Sequence, residues 1–98
     1  MKESTIEKKV CKYAESEGWL TYKFVSPGNK GVPDRIFLKD EICFFIEFKA
    51  PGKKLTKLQE FVQQTIRDQD FSSWEVDDVD KGKLIIDNYR RIEITNRH

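Results

Sequence analysis

Apolar residues recur along this chain with two periods, one helical and one alternating. Ile6, Val10, Tyr13 and Ala14 fall at helical spacing after Ser4-Thr5-Ile6-Glu7, which reads as a capping box, and Gly18 ends the run. Trp19–Ser26 is aromatic and β-branched and reads as a strand, followed by a loop over Pro27–Gly31. Asp34–Leu38 and Ile42–Lys49 read as two further strands of a hairpin closed through Lys39-Asp40-Glu41. Ala50-Pro51-Gly52 breaks the chain, and a second capping box, Thr56-Lys57-Leu58-Gln59, opens another helix. That helix is expected to bury Leu58, Phe61, Val62, Thr65 and Ile66. Trp74–Val79 reads as a fourth strand, Leu84, Ile85, Asn88 and Tyr89 as a third helix, and Arg91–Thr95 as a last strand. The order is α-β-β-β-α-β with a helical tail.

Ninety-eight residues without a linker or repeat make a single domain over 1–98. At 38% hydrophobic and 36% charged the chain is polar, yet its seven Phe, three Tyr and two Trp are too many for a disordered segment. So small a core favours an oligomer that hides more apolar surface. A net charge of +1 excludes a polybasic DNA-coating protein but leaves room for local clusters. One is Lys49, Lys53, Lys54 and Lys57; Asp77, Asp78 and Asp80 are its acidic counterpart. Cys11 and Cys43 lack CxxC spacing and the only histidine is His98, so a zinc site has too few ligands. The longest apolar stretch, Ile42–Ile46, is far too short to cross a bilayer, and no secretion signal is apparent. The expected compartment is the cytoplasm.

Candidate chemistry sits in Pro33-Asp34 and Glu47-Phe48-Lys49. Alternation puts Glu47 and Lys49 on one face of their strand, with Phe44, Ile46 and Phe48 on the other. If the hairpin turn pairs Lys39 with Ile42, or Leu38 with Glu41, Asp34 lies opposite or diagonal to Glu47; a one-residue slip moves it to the other face. Two carboxylates held together repel unless a cation relieves them. A hard divalent ion bound by oxygens, Mg²⁺ rather than Zn²⁺, is the natural occupant. Lys49 beside it would orient an attacking water or stabilise developing negative charge. The bland alternative is a cross-strand pair of charges protecting a sheet edge. Against it, Glu47 and Lys49 interrupt the most apolar strand of the chain, which costs stability without function.

The order of motifs resembles the PD-(D/E)xK nuclease superfamily and, within it, the VRR-NUC branch. The residues that carry the resemblance are Glu7, Gly31-Val32-Pro33-Asp34-Arg35-Ile36, Phe45-Ile46-Glu47-Phe48-Lys49 and Leu55-Thr56-Lys57-Leu58-Gln59, over roughly residues 4–80. It implies an α/β, restriction-endonuclease-like α-β-β-β-α-β core with a mixed sheet flanked by helices. It also implies Mg²⁺- or Mn²⁺-dependent cleavage of DNA, with Asp34, Glu47 and the Phe48 carbonyl as metal ligands and Lys49 as catalytic lysine. Glu7 and Gln59 match the helix-one Glu and helix-two Gln of that family, although helix capping explains either residue without catalysis.

Lys30, Lys53, Lys54 and Lys57 flank the expected site and are candidates for phosphate contacts, which position a backbone without reading its sequence. Nothing resembles a recognition helix. The expectation is a structure-selective endonuclease acting on branched DNA as a homodimer, with a four-way (Holliday) junction as substrate, because a two-fold axis suits a symmetric junction. A flap or nicking nuclease and a non-catalytic DNA-binding module are the competing readings. So small a stand-alone nuclease suggests a phage or mobile-element origin, which, if phage-encoded, would place it in a bacterial host cell.

Overall fold

The computed structural model describes the backbone of residues 1–96 and the side chains of residues 1–89; His98 lies outside the described residues. Its elements are α1 (Glu3–Ser16), β1 (Leu20–Lys23), β2 (Arg35–Lys39), β3 (Ile42–Phe48), α2 (Lys57–Asp68), β4 (Ser72–Val76) and α3 (Val79–Asn96). The strands form one sheet in the order β1-β2-β3-β4. β1–β2 and β2–β3 are antiparallel and β3–β4 is parallel, so the sheet is mixed and α2 is the crossover that a parallel pair needs. The expected α-β-β-β-α-β order with its helical tail is observed.

β3 is central and apolar because both its faces are covered. Phe44, Ile46 and Phe48 point to the side where α1 and α3 pack, and join Phe37, Val76, Ile6, Val10, Ala14, Ile86 and Trp19 in one core. Phe44 stacks between Phe37 (4.8 Å between centroids) and Tyr89 (4.3 Å), with Trp19 edge-on at 5.0 Å. Trp19 thus belongs to the core. The hairpin pairs Lys39 with Ile42, one of the two registers that the site requires. Its tight turn holds Asp40 and Glu41 at φ 48° and 70°, the sign that a two-residue hairpin connection demands.

Five local expectations are corrected. The Ser4 capping box does not form: α1 begins at Glu3 behind Lys2, which makes no side-chain cap, and Glu7 is drawn instead to Arg35 at 2.7 Å. β1 stops at Lys23, although the Phe24 amide still donates to the Asp34 carbonyl (2.9 Å). β4 lies earlier than Trp74–Val79, because Asp78 accepts a bond from the Lys81 amide and caps α3. The last strand over Arg91–Thr95 is absent, since α3 continues to Asn96. Finally, the α2 stripe is not buried: Leu58 and Phe61 are 48% and 66% exposed, and the buried residue of that helix is Gln63. Gln63 accepts from Ser73 Oγ and Arg67, so α2 meets the sheet through polar groups rather than through its apolar stripe.

Candidate active site

Register builds the site. With Arg35 opposite Ile46, the residue before Arg35 comes level with the residue after Ile46, which sets Asp34 against Glu47 at the end of the hairpin. Asp34 is anchored there by its Oδ2, which accepts from the Phe48 amide at 2.8 Å. The first turn of α1 reaches the same place. One carboxylate oxygen from each of Glu3, Asp34 and Glu47 lies within 4.8 Å of the others. Lys49 Nζ stands 3.6 Å from Glu47 Oε2 and is only 15% exposed. Gln59 donates its Nε2 to the same Glu47 oxygen at 3.1 Å.

Gln59 has two tasks. Its Oε1 accepts from the Thr56 amide while its own amide donates to Thr56 Oγ1, completing the expected capping box. Capping and contact with the site are therefore not alternatives. α2 can come this close because Gly31 (φ +88°) lies under it; a Cβ there would stand 2.9 Å from Leu58 Cγ and 3.1 Å from Val62 Cγ2.

Electrostatics at the cluster are unbalanced. Burial first, and then the Asp34 charge, push Glu47 up to about 7, against a smaller lowering by Lys49. Asp34 is raised too, by burial, with the Phe48 amide opposing and Glu7 and Glu3 adding to the rise. Glu47 is 3% exposed, so one lysine and one amide are its only relief from this crowding among the described residues. All the converging atoms are hard oxygens, the donor set of a Mg²⁺-type cation and not of zinc.

Of the expected residues, Asp34, Glu47, Lys49 and Gln59 meet. Phe48 contributes through its amide, which holds Asp34. Glu7 lies one turn beyond the cluster, gripped by Arg35 Nε at 2.7 Å and Lys23 at 3.6 Å. The α1 carboxylate that joins the cluster is Glu3, which the capping-box reading had set outside the helix. Its signal was the four-residue spacing to Glu7, which puts both on one helical face. Lys30, Lys53, Lys54 and Lys57 are all exposed, on the loop before Gly31, the loop after β3 and the start of α2.

Comparison with known proteins bears on the fold. A solved VRR_NUC domain superposes with a TM-score of 0.81 over 89% of this chain and 96% of its own, at 22% identity. The fold is that of a VRR_NUC domain. In sequence, the chain is 45% identical over 60 residues to "Putative nuclease p44" of Acyrthosiphon pisum secondary endosymbiont phage 1. That match covers 60% of this chain and 64% of the phage protein, just under two thirds of its length. No family model matches.

Proposed function

We propose that this protein is a metal-dependent endonuclease that hydrolyses phosphodiester bonds in branched DNA as a homodimer. The observation that carries the reading is the convergence of three carboxylates and a half-buried lysine on the VRR_NUC fold. Glu3, Asp34 and Glu47 would hold the cation, Mg²⁺ or Mn²⁺, with the Phe48 carbonyl as a further oxygen ligand. Bound there, a divalent cation would neutralise charge on a phosphate and lower the pKa of water. Gln59 keeps Glu47 aimed, and the Phe48 amide keeps Asp34 aimed. Lys49 carries positive charge to the side of the reacting phosphate, where it orients water and balances developing negative charge. Lys30, Lys53, Lys54 and Lys57 supply backbone contacts beside it.

Pairing is supported by the face of the sheet that carries α2. α2 covers that face toward β4. Toward β1, Leu20 and Tyr22 are 56% and 57% exposed, and Ile36, Leu38 and Cys43 beside them are half-buried. Leu58 and Phe61 of α2 extend apolar surface on the same side. A second copy would bury both, and two copies would present two sites to opposite strands.

The test is cleavage of labelled four-way junction, 5′ flap and linear duplex in Mg²⁺, Mn²⁺ or EDTA, by the chain and by Glu47→Gln. Paired incisions in the junction, dependent on metal and absent from Glu47→Gln, are the expected result. Cleavage of the flap alone would keep the nuclease and remove the case for a symmetric dimer. Binding without cleavage in any metal would leave a non-catalytic DNA-binding module.

A further inference from the structure

A second charged hollow adjoins the carboxylate cluster on its α1 side. Its volume is about 400 Å³, and its walls include Ser4, Lys8 and Lys12 of α1 together with Lys23 and Arg35 of the sheet. Arg35 follows Asp34 directly, so this hollow and the cluster share one stretch of backbone. The guanidinium is 21% exposed and is held by its Nε alone, 2.7 Å from Glu7 Oε2, so both terminal nitrogens have no protein acceptor among the described residues. Glu7 is thereby spent on fixing the arginine, with Lys23 as a second cation at 3.6 Å. Lys8 and Lys12 stand one helical turn apart, exposed, on the ridge between this hollow and a neighbouring one that they line with Lys9. The walls of the first hollow carry four cations against the carboxylates of Glu7 and Glu15, and no cation there is closer to Glu7 than Arg35.

We propose that this hollow is a phosphate-backbone subsite: Arg35, positioned by Glu7 and flanked by Lys8, Lys12 and Lys23, takes a phosphate of the substrate strand next to the reacting one. The chemistry is that of a fixed guanidinium fork with free donors, which matches the geometry of a phosphate, among lysines that act as point charges. It rests on the nuclease reading and extends it: DNA is tracked on both sides of the carboxylates, by α1 on one and by Lys53, Lys54 and Lys57 on the other. Glu7 has a role here as a positioning residue outside the carboxylate cluster.

The experiment measures binding of a fluorescent four-way junction and a duplex in Ca²⁺ across a salt series. It compares the chain with Lys8→Ala/Lys12→Ala and with Arg35→Gln, each checked for an unchanged melting temperature. Both lysines are exposed with no fold contact to lose, so the double variant remains informative if Arg35→Gln fails to fold. The expected result is a loss of about tenfold in affinity for the double variant, with the log–log salt slope shallower by about 2 on either DNA. A slope unchanged from that of the parent chain, while the parent binds, overturns the subsite and leaves the nuclease reading standing. A parent chain that binds neither DNA at low salt overturns both.

Discussion

Glu47 is a carboxyl group kept almost dry, and its raised pKa has a sign that can be checked. Folding raises it from 4.5 to about 7, so the folded chain holds this proton more firmly than the unfolded one. The stability tied to it is complete below about pH 4.5 and is lost as the pH rises through 7, a change of about 3 kcal/mol. Asp34, also raised, acts in the same direction. In EDTA, Glu47→Gln is therefore expected to match the parent chain near pH 4.5 and to exceed its urea stability at pH 8. Adding Mg²⁺ at pH 8 should stabilise the parent and leave Glu47→Gln unmoved, since only the former keeps the full carboxylate set. A parent chain whose stability stays parallel to that of the variant across this range would mean that Glu47 is not under strain.

Among elements, α1 meets α3 in a close contact. It is close because Gly82 faces Val10: a Cβ at Gly82 would lie 2.5 Å from Val10 Cγ2 and 2.9 Å from Cγ1. Gly82→Ala gains helix propensity but overpacks this contact, for a net loss of about 1–2 kcal/mol and a Tm lower by about 4–16 °C. Val10→Ala in the same chain should recover much of that loss, as read by thermal unfolding, because it removes the colliding methyls; additive losses would refute the contact. The close approach was not legible in the sequence, where Gly82 stands among charged residues. What was legible came from local chemistry. The β2–β3 hairpin, which formed in one of the two registers left open, and the Thr56–Gln59 cap are set by residues within a few positions of one another. The misreadings had tertiary causes. Glu7 left its supposed cap for Arg35, twenty-eight residues away, and α2 docked by Gln63 and Gln59, so that an amphipathic pattern that normally marks a core face marks an open one. Glu3 was missed for the same reason: a helix start can be guessed locally, but what it touches cannot.

For the molecule as a whole, that open face carries the proposed pairing. Tyr22→Lys, on the uncovered part of the sheet, is expected to give a monomer by light scattering at concentrations where the parent is a dimer. Folding should be retained, since Tyr22 is more than half exposed in the single chain. A parent that is monomeric throughout would return the face to another use. Gln59 ties the remaining parts together in a way that bears on temperature. The opening turns of helices are among the first pieces of a protein to come loose, well below the point at which a sheet melts. Here the amide that closes the first turn of α2 is the one that steadies Glu47. Each time that turn frays, the proposed site would lose its hold on Glu47 while the fold stays whole, which would set a ceiling on working temperature below the melting point.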